Sequence, residues 1–251
     1  MQIKIVESNL NLRIPKGHLA SDYNLPSCVA KSQLKYHPDI ICNTEDMEGV
    51  ESKDYNKLLE SDYFKIAATD DKQRRGVSCW VKKQYKAKKI HSMTVPHLLH
   101  VRITNCAGKE LNLIILRILI SSSDKADFQN RWDQWLNVMQ YLDTLAEKGA
   151  KNIALIGDWN HGVVNNIQAY KGKPRQFFNL QMIEKSLSTR NIDLVPIQGF
   201  SYKGYMAIDH LAISPSITAH NTRYEDIFGT HVPTIGIPDH SYIVSDLQLC
   251  G

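Results

Sequence analysis

Cysteine is sparse in this chain of 251 residues. Its five cysteines, Cys28, Cys42, Cys79, Cys106 and Cys250, are odd in number, far apart and never in a Cys-x-x-Cys pair. That spacing excludes a zinc ribbon and a disulfide framework, and it fits a reducing compartment. Long apolar runs are missing too. No stretch approaches the roughly 20 residues that a membrane-spanning helix needs. The opening Met1-Gln2-Ile3-Lys4-Ile5-Val6-Glu7 has no apolar region behind a basic start, so it does not read as a secretory signal. These absences set the expectation of a soluble, intracellular, cytoplasmic protein with no membrane partner and no obligate protein partner. Internal repeats, low-complexity segments and Gly/Ser linkers are also lacking, so one domain over residues 1–251 is expected. The 43% of hydrophobic residues suffices for one sizeable core. The net charge of +4 permits an anionic partner without requiring one.

What is present is a series of short apolar runs, each ending in polar residues. Ile153-Ala154-Leu155-Ile156 is too short for a helix of its own and reads as a strand buried on both faces. Gly157 ends it, and Asp158 and Asn160 follow two positions apart, so both side chains are expected to project the same way. A carboxylate beside a carboxamide suits a hydrolytic centre. One takes a proton or orients water, and the other donates to an oxygen that gains charge. Taken alone, the pair reads equally as turn residues.

The same pattern recurs along the chain. Ile3–Val6 is a short first strand that runs into Asn9-Leu10-Asn11. Pro38–Cys42 is a second, delivering Asn43-Thr44-Glu45-Asp46. A strand at Val77–Val81 follows the charged loop Asp70–Gly76. Leu98–Thr104 and Leu111–Ile120 are two more, joined by a turn containing Gly108. Ala207–Ser214 is a strand carrying Asp209 and His210. A carboxylate there is costly unless paired. The last strand begins at Tyr242, just after Asp239-His240-Ser241.

Helices are expected at Val29–Tyr36, in part of Glu51–Phe64, and at Phe178–Leu187. The clearest one carries Phe128, Trp132, Trp135, Met139, Leu142 and Ala146 at three- and four-residue steps, with Asp127 as its N-cap and Gly149 near its C-cap. The run Lys82–Ile90 contains five lysines. It reads as a phosphate-tracking patch or, more commonly, as a solvated edge or hairpin. His97, His100, His161, His220 and His231 show no ligand spacing and are expected to be surface or packing residues.

In this order the stations resemble the endonuclease/exonuclease/phosphatase superfamily, to which exonuclease III-type enzymes and DNase I belong. The resemblance rests on Ser8-Asn9-Leu10-Asn11, Pro38 to Glu45, Arg74-Arg75-Gly76-Val77-Ser78, Gly157-Asp158-Trp159-Asn160, Ile208-Asp209-His210 and Asp239-His240. It implies an α+β fold, a four-layer α/β/β/α sandwich of two mostly antiparallel sheets, with the stations gathered at one edge.

It further implies a Mg²⁺-dependent phosphodiester hydrolase, with Mn²⁺ as a substitute, acting on nucleic acid and above all DNA as an endonuclease. Glu45 would be the main metal ligand, with Asn9 and Asp239 completing the site. Asp158 would orient or deprotonate the attacking water, and Asn160 would bind the phosphate. His240 would meet the scissile phosphate or protonate the leaving group, with Asp209 holding its tautomer. Asn11 and Arg75 would lie against the substrate. The chain departs from the family where many members carry a Tyr or His after the strand before the long helix. Arg117 and Ser121 are the nearest substitutes. Two further expectations stay open: a phosphatase or phosphodiesterase for a small phosphorylated molecule or lipid head group, and a binding module that has lost turnover.

Overall fold

The computed structural model describes residues 1–10, 25–46, 53–70, 75–120, 125–161, 178–202, 204, 206–225 and 240–250. Strands and helices follow the sequence order closely. The first sheet is built from β1 (Gln2–Asn9), β2 (Ile40–Asp46), β3 (Tyr63–Asp70), β4 (Arg75–Lys82), β11 (Ile217–Glu225) and β12 (Tyr242–Leu249). The second is built from β5 (Lys86–Thr94), β6 (His97–Thr104), β7 (Glu110–Arg117), β8 (Ile153–Asp158), β9 (Asp193–Leu194) and β10 (Asp209–Ile213). Their orders are β11-β12-β1-β2-β4-β3 and β5-β6-β7-β8-β10-β9. One pair in each sheet, β1 with β2 and β7 with β8, is parallel, and the other pairs are antiparallel.

Each sheet is apolar on both faces, which explains the near-continuous apolar runs. Between the sheets lie Ile3, Ile5, Ile40, Cys42, Val77, Cys79, Leu99, Val101, Leu113, Ile115, Ala154, Ile156, Leu211 and Ile243, all fully buried. Helices α1 (Leu25–Leu34) and α2 (Lys53–Leu59) cover the outer face of the first sheet, against Ile41 and Trp80. Helices α3 (Lys125–Glu147) and α4 (Leu180–Ser188) cover the second, where Trp135, Trp159 and Phe178 pack together. The result is the expected four-layer α/β/β/α sandwich.

Several details differ from the sequence reading: β3 and β11 were not expected, and α1 spans Leu25–Leu34 rather than Val29–Tyr36. Asp127 is not the cap of α3. It lies inside the first turn, 1% exposed, and takes the Arg131 Nε at 2.6 Å. Helix α4 starts two residues later than expected, because Asn179 caps it by accepting from the Met182 N–H.

The core sets the direction of the polar groups. Side chains alternate along a strand, so a residue two positions beyond a core residue stays between the sheets. Ile3 and Ile5 are followed on that face by Glu7 and Asn9, Ile115 by Arg117, Ala154 and Ile156 by Asp158, and Leu211 is preceded by Asp209. The apolar filling therefore gives way to polar groups at one end of the sandwich.

Candidate active site

Asp158 stands at the centre of that end. Its Oδ2 accepts from Asn9 Nδ2 at 3.0 Å and Asn160 Nδ2 at 2.8 Å, and its Oδ1 accepts from the Asn160 backbone N–H at 3.1 Å. Both sheets thus meet at one carboxylate, since Asn9 belongs to β1 and Asp158 to β8. Asn160 Nδ2 also donates to Ile118 O at 2.9 Å. Both amide hydrogens of Asn160 are committed to acceptors, which fixes its orientation. In this arrangement Asn160 holds Asp158 and has no hydrogen left for a phosphate oxygen. Its φ of 44° is a left-handed conformation that asparagine tolerates.

The strand can reach this position only through Gly157. Its φ is 138°, and a Cβ there would lie 2.1 Å from Leu116 O on the adjacent β7. Behind the loop, Trp159 is fully buried and packs on Trp135. Arg131 of α3 reaches across to donate to Asn160 O at 2.6 Å. His161 and His210 stack beside it with Nε2 atoms 2.8 Å apart. His161 Nε2 also contacts Ala207 O, which can only accept. The two imidazoles and that carbonyl form one hydrogen-bonded cluster. Burial, with the neighbouring His161, holds the His210 imidazole well below its ordinary pKa.

Asp209 and His240 form the second group. His240 Nδ1 lies 2.7 Å from Asp209 Oδ2, both residues being buried. A carboxylate accepts, so Nδ1 carries the hydrogen. Ser201 Oγ accepts from the Ile208 and Asp209 backbone N–H groups at 2.9 and 3.0 Å. The ring of Tyr202 meets that of His240 edge-on at 4.9 Å. One ligand-type atom from each of Asp158, Asp209 and His240 falls within 4.8 Å of the others.

Glu45 comes from the first sheet by an irregular route. Regular alternation would put it on the outer face with Asn43, whose amide joins Gln33, Ser8 and Tyr55 there. A bulge between Asn43 and Asp46, with Glu45 at φ 49°, turns the carboxylate inward. Asp46 anchors the bulge through Lys65, 2.9 Å away on β3. The turned carboxylate Oε1 pairs with the Arg117 Nη2. Arg117 Nε also lies 3.8 Å from Asp158 Oδ2. Of the two substitutes for the missing Tyr or His, Arg117 is therefore in the site. Ser121 lies outside the described residues, as do Asn11, Asp239 and the side chain of Arg75.

Sequence reading missed three neighbours. Glu7 is fully buried beneath Asn9, with both oxygens lacking a hydrogen-bond partner. Burial pushes its carboxyl well up, and the Asp209 and Asp158 charges add to the rise. Its signal was a carboxylate at a core-facing position of an apolar strand. His97, 2% exposed, stands opposite Arg117 in the β6–β7 register. Arg131 had no sequence signal beyond its four-residue spacing from Asp127.

Asp158 is pushed up to about 7, first by burial and then by the Asp209 charge, with His240 and Arg117 opposing. Beyond that burial, the site is short of positive charge. Glu7, Glu45, Asp158 and Asp209 supply four carboxylates, against Arg117 and His240. A divalent cation that prefers oxygen fits this donor set. Asp158 Oδ2 accepts from two amides, Oδ1 accepts from one and keeps a lone pair, and His240 Nδ1 is held by Asp209. Glu45 and the carboxamide oxygen of Asn9 are the hard donors suited to a metal.

This combination of two sheets, outer helices and strand-end polar groups recurs in solved structures. An endonuclease/exonuclease/phosphatase family protein from Bacteroides thetaiotaomicron superposes with a TM-score of 0.66 at 16% identity, covering 98% of this chain and 97% of that one. One from Beutenbergia cavernae gives 0.67 at 12% identity over 100% of this chain and 72% of the other. The fold is that of the endonuclease/exonuclease/phosphatase superfamily. Another structure with this superfamily fold, TDP2 from D. rerio complexed with a single-strand DNA product, gives 0.62 at 16% identity over 98% and 99% of the two chains. No protein-family model matches the sequence, and no curated protein sequence matches it.

Proposed function

We propose that this protein is a metal-dependent phosphodiester hydrolase and that its substrate is DNA. The observation that carries the reading is the joining of Asp158, Asp209 and His240, with Asn9 and Asn160 both donating to Asp158. Glu45 and Asn9 would hold the cation, Mg²⁺ by donor type, with Mn²⁺ as a substitute. When bound, that ion would offset the negative charge that phosphodiester hydrolysis develops on oxygen.

The chain's own groups divide the remaining work. Asp158, pushed up to about 7, is poised to accept a proton from water near neutral pH. Asn9 and Asn160 fix which of its lone pairs faces the water. His240 presents Nε2 to the phosphate or to the leaving oxygen, and Asp209 favours the charged ring. Arg117 supplies a fixed positive charge within the same cleft. Phe200, 52% exposed two positions from Tyr202, offers an aromatic face on which a base can stack. The D. rerio TDP2 structure, which is complexed with single-strand DNA product, supports a nucleic-acid substrate.

A second reading, hydrolysis of a small phosphorylated molecule, gains weight from the position of the lysine run. Lys86 pairs with Thr104, while Thr94 pairs with His97 and His97 with Arg117. The basic hairpin therefore lies roughly 25 Å from the site, at the other end of the strands. The deciding test is a cleavage panel with Mg²⁺ and Mn²⁺ on double-stranded, single-stranded and abasic DNA, RNA and a small phosphate ester. Cutting of DNA that weakens steeply with salt is expected. Hydrolysis of the small ester alone would replace DNA as the substrate.

A further inference from the structure

The Arg117–Glu45 pair gives Arg117 a second task that a contact with phosphate does not account for. The guanidinium of β7 bridges the two sheets. Its Nη2 holds Glu45 Oε1 on β2, and its Nε faces Asp158 Oδ2 at 3.8 Å. Glu45 is at the same time the carboxylate that the bulge turns into the site and the group best suited to a cation. Two positive charges cannot both take full advantage of one carboxylate. They repel, and each weakens the other's hold. Arg117 is the last residue of β7 and its side chain keeps 13% exposure, so the guanidinium borders solvent.

We infer that Arg117 is an exchangeable counter-cation for Glu45. It pairs with the carboxylate here, and with a divalent cation held by Glu45 the fork would be free to turn to the substrate phosphate. This rests on the metal-dependent reading above. The planar fork suits both partners, because carboxylate and phosphate each present paired oxygens at similar spacing. The exchange keeps the buried carboxylates partly neutralised before the metal arrives, and it links metal loading to substrate affinity. His97 lies across from Arg117 and backs the strand end on which the fork pivots.

Binding of Mn²⁺ without substrate, followed by electron paramagnetic resonance, is the direct test. Arg117→Gln is expected to tighten Mn²⁺ binding by roughly tenfold, within the usual range for coupled sites. Once Mn²⁺ is saturating, the same variant is expected to bind inorganic phosphate roughly tenfold more weakly. Arg117→Lys keeps the charge and loses the fork, so its Mn²⁺ affinity should stay near wild type while phosphate binding falls. In the unaltered protein, the Arg117 side-chain NMR signal should shift on titration with Mg²⁺ in the absence of phosphate, a readout that needs no variant. Unchanged or weaker Mn²⁺ binding by Arg117→Gln, or an Arg117 signal indifferent to Mg²⁺, would overturn the exchange while leaving the metal site standing. If the wild type binds no Mn²⁺ and Glu45→Gln changes nothing, the metal reading falls and the exchange falls with it.

Discussion

The two ends of the sandwich share the same strands and the same apolar filling, yet they use charge in opposite ways. At the end that carries Asp158, charges point inward and are buried. Glu7, Asp209 and Asp158 are at most 1% exposed, and cations are in short supply. At the other end the charges point outward and serve the backbone. Lys83 donates to Glu60 O at 2.8 Å and Ser61 O at 2.9 Å, just beyond the end of α2, and Lys82 pairs with Asp39 at 3.3 Å. One end carries unbalanced charge that a ligand can relieve, and the other is locally satisfied. Abundance of charge is therefore a poor guide to a site, whereas charge buried without its complement is a good one.

That contrast can be broken most severely at the His240–Asp209 pair. His240→Ala and Asp209→Asn are each expected to lower kcat by roughly a thousandfold or more on the substrate that the cleavage panel identifies, with circular dichroism unchanged. Retained activity in both variants would move the chemistry elsewhere. Gly157→Ala comes next. A Cβ 2.1 Å from Leu116 O has to part β7 from β8, and urea unfolding should register a loss of roughly 3–5 kcal/mol. Wild-type stability would show that the two strands can part freely.

The third effect depends on pH. Asp158 has a folded-state value of about 7, above the ordinary carboxylate value near 4. The folded form thus holds a proton that the unfolded chain has already lost. Its contribution is complete below about pH 4 and is lost as pH rises toward 7. Without metal, the melting temperature of Asp158→Asn should climb relative to wild type across that window, and saturating Mg²⁺ should narrow the gap. A constant difference would remove the charge-shortage account. Smallest of all is the effect of the far end. Replacing Lys86, Lys88 and Lys89 by alanine should change kcat by less than about twofold and leave the salt dependence of binding unchanged. A large drop in the salt slope would show that substrate reaches both ends.

Much of this arrangement was legible in the chain because alternation is a local rule. Asn9, Asp158 and Asp209 each lie an even number of positions from core residues of their own strand, so their common destination follows from pattern alone. Glu45 was found by its place in the order of stations, and its inward turn was not readable, since regular alternation would point it outward. The bulge depends on the ladder to β4 and on the Asp46–Lys65 pair, which are long-range facts. Asn160 was read as a phosphate donor because sequence does not show that Ile118 O and Asp158 take both of its hydrogens. Glu7 was overlooked because it lies inside a strand, where only the neighbouring β10 and β8 reveal what it faces. The lysine run drew attention because charge density is visible in sequence and the end of the sheet at which it lies is not.

The bulge at Asn43–Asp46 acts as a parity inverter. Removing Thr44 would leave strict alternation, and Glu45, now next after Asn43, would still face between the sheets but sit one residue, roughly 3 Å, further back. Removing both Asn43 and Thr44 would put it next after Cys42, on the helix-covered face. Odd and even changes in chain length therefore have different consequences for this site, one misplacing a ligand and the other abolishing it. A comparison of chains with this fold by residue count between Cys42 and Glu45 should sort those able to load a cation from those that are not.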